Sequence, residues 1–377
     1  MATFDLTEEQ EALRAAVAEL GAKYGHRYYV EAAKSGGHTD ELWAEAGRLG
    51  YLGVSVPAEY GGGGGGITEL AIVCEELAAA GSPLLLLVVS PAIAATIIAG
   101  HGSEGQRKEL LPRFADGTLK VVFAITEPEA GSNAHRIGTT ARRDGSDWVI
   151  SGRKCFISGV DEAPLMLLVA RTGDSLGLFL VPTDAAGLVK SQIDMEITSP
   201  ENQWMLYLDE VRVPADALVG DGLPALFSGL NPERITVAAM SAGTGRYALS
   251  RAASYTATRS VWGRPIGSHQ GVAHPLAHAQ IQVELARLMV YKAAGLYDAG
   301  RDLEAGVAAN MAKYAAADAA ALAVDTAIQV HGGNGMTTEY GVATLLGGVR
   351  AGRIAPVSRE MILNYVAQHV LGQPKSY

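Results

Sequence analysis

The sequence predicts an α+β protein in three parts: an N-terminal helical domain, a central antiparallel β domain and a C-terminal four-helix bundle. Three observations predict it. Apolar residues recur at helical spacing up to about residue 117, short β-rich runs replace them between Leu119 and Val213, and long Ala-rich helical patterns resume after Asn231. No helical pattern interleaves with the β-rich runs, which disfavours a parallel sheet with crossover helices and favours an antiparallel sheet or barrel. The expected domains are 1–118, 119–228 and 229–377.

The first domain opens with Thr7-Glu8-Glu9-Gln10, the pattern of a helix-capping box, so the fold is expected to start there without a targeting leader. Leu13, Val17 and Leu20 form one helical stripe, and Leu70, Val73, Cys74 and Leu77 another. Gly61 to Gly66 are six consecutive glycines, expected to form a flexible loop before a helix capped at Thr68. No Gly-Lys-Ser/Thr follows them and no strand-to-helix Gly-x-Gly-x-x-Gly occurs, which excludes a P-loop and a Rossmann turn. The most apolar stretch, Leu84 to Ala99, is interrupted by Ser90-Pro91 and is too short to span a membrane, so it reads as a core helix or helix pair. The helix holding Leu110, Leu111 and Phe114 stops at Asp116-Gly117.

In the central domain the β-rich runs are Lys120 to Ile125, Trp148 to Ser151, Leu165 to Ala170, Leu176 to Val181 and Trp204 to Val213. Asp144-Gly145, Ser158-Gly159 and Thr172-Gly173-Asp174 supply the turns between them. The later helical patterns cover 232–259, 275–299, 302–331 and 358–371. Helices of that length lined by Ala and Leu suggest a bundle. His274 and His278 share an i, i+4 spacing but lack a third ligand, so they read as surface or packing residues and no metal is expected.

Bulk composition narrows the function classes. A formal charge of −10 argues against a nucleic-acid binder, which needs a basic face. The two cysteines, Cys74 and Cys155, lie far apart, which excludes a disulfide scaffold and a thiolate zinc site and fits a reducing, cytoplasmic setting. The most informative stretch is Ala124-Ile125-Thr126-Glu127-Pro128-Glu129-Ala130-Gly131-Ser132-Asn133. A buried strand here delivers two hydroxyls, Thr126 and Ser132, into a loop whose Gly131 lets backbone N–H groups approach a planar polar ligand.

Helical–β–helical order and this loop, with three later stretches, resemble the acyl-CoA dehydrogenase family of flavoenzymes over nearly the whole chain. Tyr51 to Gly62 resembles the family's first-domain loop. Arg153-Lys154-Cys155-Phe156-Ile157-Ser158-Gly159 is similar to its flavin-stacking strand, Arg259 to Gln270 to its FAD-diphosphate segment, and Gln329-Val330-His331-Gly332-Gly333-Asn334-Gly335 to its C-terminal glycine signature. The resemblance implies FAD as cofactor. Phe156 would offer the ring an aromatic face, with Ser158 near the reactive nitrogen and Thr126 at the pyrimidine edge. Arg259 would pair with the diphosphate, with Trp262 and Gln270 in the same segment, and Gln329, Gly332 and Gly333 would approach the cofactor; both segments would reach it from a neighbouring subunit, implying a homodimer or homotetramer. Phe156 and Ser158 replace the family's usual Trp and Thr, and Asn133 replaces its usual Asp; Ser132 would still face flavin and thioester arm.

Desaturating a thioester needs a carboxylate in a dry pocket to take the α-proton. Where many family members carry a late glutamate this chain has Pro356, with Glu360 on the following helix. A subset places the base at the start of the first C-terminal-domain helix, and Glu233 of Asn231-Pro232-Glu233-Arg234 falls there. The same four residues also suit an ordinary helix start. The resemblance therefore implies FAD-dependent α,β-dehydrogenation of an acyl-CoA or acyl-carrier thioester in fatty acid metabolism. Glu233 would be the base, Asn231 and Arg234 would lie near the thioester arm, and electrons would pass to an electron-transfer flavoprotein. The alternative is a flavin monooxygenase of the same superfamily, which needs no such base. Proline also lacks the N–H that polarises the thioester oxygen at the late position, leaving that donor absent or shifted to Val357.

Overall fold

The structure, a computed structural model, describes residues 6–375. Helix α1 (Glu8–Ser35) begins as its sequence predicts, with the Gln10 N–H donating to the Thr7 hydroxyl at 3.2 Å and the Thr7 N–H to the Gln10 side chain at 3.0 Å. Helix α2 (Asp40–Arg48) follows, and Val17 and Leu20 of α1 are buried with Leu42 and Trp43 of α2 in one cluster.

The glycine run is not a flexible loop. Gly63, Gly64 and Gly65 donate N–H groups to the carbonyls of Gly53 (2.9 Å), Val56 (3.0 Å) and Val54 (2.9 Å). A Cβ on Gly62 would lie 2.1 Å from the Val56 carbonyl, so at this position glycine is required for close backbone packing. Helix α3 (Ile67–Ala79) begins before Thr68, and Thr68 is not its cap. The Asp298 carboxylate, arriving from a later helix, accepts from the N–H groups of Ile67 (2.7 Å) and Thr68 (2.9 Å), and Glu69 accepts from Gly66 (2.6 Å). A local sequence window cannot contain that cap, because its partner is remote.

The apolar stretch forms one helical path: α4 (Leu85–Leu87), π-helical turns over Val88–Ala95 that contain Pro91, and α5 (Thr96–His101). Wider turns accommodate the proline without breaking the path. The Ser90 hydroxyl accepts from the Val121 N–H at 3.0 Å, tying the path to the sheet. Helix α6 (Glu104–Ala115) closes the domain, and no helix of the described residues is long and apolar enough to cross a membrane.

The central sheet has eight strands. They are β1 (Val121–Ala124), β2 (Thr140–Asp144), β3 (Asp147–Ser158), β4 (Leu165–Thr172), β5 (Ser175–Pro182), β6 (Leu188–Ile193), β7 (Gln203–Val213) and β8 (Leu218–Asp221). The order is β6-β7-β3-β2-β4-β5-β8, with β1 on β4. Most pairings are antiparallel, as expected, but β1 runs parallel to β4 from Val121↔Leu165 to Ala124↔Leu168, and β2 meets β4 in a parallel pair at Thr140↔Arg171. The sequence signal missed this because the crossover is not a helix: the β2–β3 hairpin lies between β1 and β4 and supplies the required length.

The C-terminal helices are α7 (Gly222–Thr258), α8 (Gln270–Asp298), α9 (Asp302–His331), α10 (Leu345–Ala351) and α11 (Arg359–His369), with a small hairpin, β9 (Ser260–Val261) and β10 (Arg264–Pro265), after α7. Ala279, Ala286 and Ala293 of α8 and Ala309, Ala312, Ala316 and Ala320 of α9 are fully buried, which explains the Ala-rich composition: small side chains let long helices approach. Helix α7 begins at Gly222, well before the expected 232, and Pro232 sits in its interior. Proline has no N–H for the Ser228 carbonyl; the Tyr297 hydroxyl of α8 donates to that oxygen at 3.2 Å instead.

Helix α7 lies tightly on α3, where a Cβ on Gly243 would sit 2.2 Å from the Glu75 carbonyl. Gly243→Ala is expected to lower unfolding free energy by about 2 kcal/mol. Gly100→Ala, at a helical site with open space around it, is expected to change it by less than about 1 kcal/mol. Urea unfolding of the two variants checks this.

Candidate active site

Two loops and a bulged strand build the first half of the site. The Cys155 N–H donates to the Thr126 carbonyl at 2.9 Å, which ties the loop after β1 to β3. The β3–β7 register slips between Lys154↔Leu206 and Ile157↔Trp204, so β3 bulges at Phe156. Phe156 has φ 55° and its side chain is 57% exposed. An aromatic residue held at positive φ and turned out of the core is strained, and such strain collects at functional sites. Ser158, two residues on, exchanges hydrogen bonds with the Gln203 amide at 2.9 and 3.1 Å. Thr126 is half-buried and Ser132 exposed; among the described residues neither hydroxyl has a protein partner.

The sequence reading assigned no role to the ion pair beneath this loop. Lys154 is fully buried and donates to Glu127 (2.9 Å) and to the Ile125 carbonyl (2.9 Å). Glu127 also accepts from the N–H groups of Gly138 (2.6 Å) and Thr139 (3.0 Å). Burial opposes ionisation of Glu127, but Lys154 and these donors outweigh it and hold its pKa below the usual carboxylate range. Burial pulls Lys154 down to about 8 despite its partner. An acid and a lysine facing the same loop in the sequence were the available signal; that they meet beneath it required the bulge.

The second set of expected residues lies on the C-terminal helices. Arg259, Trp262 and Gln270 follow α7 through the β9–β10 hairpin, and all three are exposed, Trp262 by 88% at φ 53°. Gln329, Gly332 and Gly333 are exposed at the end of α9, and Gly332 has φ 57°, the left-handed region glycine favours. Tyr255 gathers these two segments: its ring stacks on His331 at 4.3 Å, its hydroxyl accepts from Asn334 at 3.0 Å, and its carbonyl accepts from the Arg259 N–H at 2.8 Å. No hydrogen bond, ion pair or ring contact among the described residues joins this set to Thr126, Ser132, Phe156 or Ser158.

Glu233 stands apart in the interior of α7. It is half-buried, and among the described residues its carboxylate makes neither a hydrogen bond nor an ion pair. Burial pushes its pKa up to about 7, against the pull of Arg234 and Lys313. Because α7 starts at Gly222, helix-start chemistry does not account for this acid. Arg234 donates to the Leu230 carbonyl and to Asn231 Oδ1, both at 3.2 Å, and its buried Nε has no partner. The turn carrying Pro356 is anchored to α9, where Lys313 Nζ donates to the Val357 carbonyl at 2.5 Å and Asp318 pairs with Arg353 at 2.7 Å. Glu360 is exposed in the first turn of α11. His274 and His278 are exposed, and no metal-holding cluster occurs among the described residues.

The helical–sheet–helical order of this chain, with an aromatic turned outward from a bulged strand, is matched by flavin-dependent oxidoreductases. Three family models cover the chain: the acyl-CoA dehydrogenase N-terminal domain over residues 7–118, middle domain over 122–210 and C-terminal domain over 220–371. The chain belongs to the acyl-CoA dehydrogenase family, whose cofactor is FAD. It is 59% identical to the acyl-CoA dehydrogenase FadE12 of Mycobacterium tuberculosis, over 100% of this chain and 99% of that one. Among solved structures it resembles a glutaryl-CoA dehydrogenase from Mycobacterium smegmatis in complex with FADH2 (TM-score 0.91, 28% identity, 99% and 97% of the two chains). It also resembles butyryl-CoA dehydrogenase from Megasphaera elsdenii (TM-score 0.92, 27% identity, 98% and 100%). The exposed Phe156 ring beside unpartnered hydroxyls fits a flat flavin with a polar edge.

Lys154→Met would leave Glu127 buried without its cation. An unpaired buried charge costs about 3 kcal/mol or more, so the variant is expected to unfold at lower temperature and to bind FAD more weakly. Calorimetry with and without added FAD measures both effects.

Proposed function

We propose that this protein dehydrogenates the α,β bond of an acyl-CoA or acyl-carrier thioester, with Glu233 as the base. The observation that carries the reading is a half-buried carboxylate with no partner, in a helix interior where no structural duty explains it. Such a group, with a pKa pushed up to about 7, is a strong enough base to take an α-proton near neutral pH. The substrate loses that proton to Glu233 and a β-hydride to bound FAD, and the C–C double bond forms from the electrons left at the α-carbon. Dehydrogenase relatives favour this chemistry over a monooxygenase.

The other residues position the reactants. Phe156 gives a ring face, while Thr126, Ser132 and Ser158 provide hydroxyls along the ring edge. Arg234 and Asn231, already hydrogen-bonded to each other, hold the thioester arm. Pro356 has no N–H, but among the described residues the Val357 N–H is unpaired and takes over the thioester oxygen. Arg259, Trp262, Gln270, Gln329, Gly332 and Gly333 reach the cofactor of a second copy, in a homodimer or homotetramer. Their separation from the Phe156 set supports this, as do Ile281, Leu285 and Leu288, an exposed apolar stripe at helical spacing on α8. Electrons leave through an electron-transfer flavoprotein.

Only ionised Glu233 accepts a proton, so the rate rises as pH increases through about 7 and is lost below it. Glu233→Gln should slow anaerobic bleaching of the yellow protein by acyl-CoA at least about 100-fold while the flavin stays bound. Bleaching at the native rate would refute the assignment.

A further inference from the structure

We propose that Gln203 is a positioning residue for the cofactor: its amide, on β7, sets the Ser158 hydroxyl of β3 in one orientation for FAD to meet. The inference rests on the reading of Ser158 as a cofactor contact and adds to it a residue from the neighbouring strand.

The pair is a product of the bulge. After β3 slips at Phe156, its register with β7 resumes at Ile157↔Trp204 and Ser158↔Gln203, so Ser158 and Gln203 stand directly opposite each other at the end of the pairing. Residues paired in this way put their side chains on the same face of the sheet. Gln203 Nε2 donates to Ser158 Oγ at 2.9 Å, and the Ser158 hydroxyl donates to Gln203 Oε1 at 3.1 Å. Nε2 also donates to the Glu201 carbonyl at 3.4 Å. Glu201 is itself held, since its buried carboxylate accepts from the Leu85 N–H (2.8 Å) and the Ser199 hydroxyl (2.6 Å). Exchanging the oxygen and nitrogen of the Gln203 amide would set two acceptors against each other at Glu201, so the amide is fixed in one sense.

Holding the strands together does not account for the contact. The backbone at this end is already tied by the Gly159 N–H, which donates to the Asn202 carbonyl at 2.9 Å. The residues on either side of Gln203 are tied as well: Asn202 Nδ2 (2.8 Å) and Trp204 Nε1 (3.0 Å) both donate to the Asp161 carboxylate. Gln203, between them, turns instead to Ser158.

Ser158 also differs from the other two hydroxyls expected at the ring edge. Among the described residues those of Thr126 and Ser132 have no protein partner, whereas that of Ser158 is already ordered. A group fixed before the ligand arrives does not have to be ordered when it binds. A serine hydroxyl has one hydrogen and two lone pairs, so its bonds to the amide leave a lone pair for the ligand. Two residues earlier, the same bulge turns the Phe156 ring outward at positive φ. One short stretch of β3 therefore presents both a ring face and a preset hydroxyl.

The test is a double-mutant cycle on the holoprotein. Gln203→Met keeps the length of the side chain and removes its amide contacts, and Ser158→Ala removes the hydroxyl. Each holoprotein is diluted, and the return of free-flavin fluorescence gives the FAD dissociation rate, a readout independent of turnover. Gln203→Met should release FAD about fivefold faster than the native protein, the effect of one lost hydrogen bond. Ser158→Ala should release it at least about fivefold faster, and the double variant no faster than Ser158→Ala alone, because Gln203 acts through that hydroxyl. Native release from Gln203→Met, or effects that multiply in the double variant as for independent sites, would overturn the proposal. If Gln203→Met does not fold, Gln203→Ala takes its place in the same cycle. Ser158→Ala separates the two claims: native release there overturns Ser158 as a cofactor contact, whereas faster release with multiplying effects overturns only the role of Gln203.

Discussion

The fold depends on a buried charge cluster where α3 meets α7 and α8. Glu75 accepts from Arg246 (2.6 Å), Arg287 (2.5 Å) and the Tyr291 hydroxyl (2.6 Å), while Glu76 accepts from Arg246 (2.6 Å) and Arg14 (3.1 Å). Two carboxylates with almost no exposure are tolerable only when every oxygen is occupied, which restricts the register of three helices at once. Gly243 permits the approach that closes this cluster, since any larger residue would meet the Glu75 carbonyl. Because Glu233 lies on the same helix as Arg246 and Gly243, the cluster also fixes the position of Glu233 along the bundle.

Within that frame the site separates its charged groups by role. Glu127 and Lys154 satisfy each other beneath the loop after β1, and Asp318 forms an ion pair with Arg353 beside the Pro356 turn. Glu233 makes neither a hydrogen bond nor an ion pair through its carboxylate among the described residues. A paired carboxylate is held ionised but is a poor base; an isolated one is a better base but is easily protonated. The helix interior, rather than a helix end, makes such isolation possible.

Much of the architecture was legible because it is periodic. The capping box at Thr7, the stripes through Val17 and Leu77, and the spans of α8 and α9 follow from local spacing. What escaped depended on remote partners. The start of α3 depends on Asp298, the interior place of Pro232 on Tyr297, and the parallel β1–β4 pair on a hairpin acting as a crossover. The glycine run looked loose because glycine is permissive, yet Gly63, Gly64 and Gly65 are held by backbone bonds to Gly53, Val56 and Val54. Among the proposed site residues, the aromatic at 156 and the acid at 233 could be picked out in the sequence as residue types. The strain at Phe156, the Lys154–Glu127 pair and the solitude of Glu233 were not, since each is a property of surroundings.

The last turn of α8 joins features that are far apart in the chain. Tyr297 fills the hydrogen-bond gap that Pro232 opens one residue before Glu233, and the next residue, Asp298, holds the first turn of α3 behind the glycine run. Two adjacent side chains thus act as a shared hinge pin. Any reshaping of the first domain would be transmitted through this point to the turn of α7 that carries Pro232.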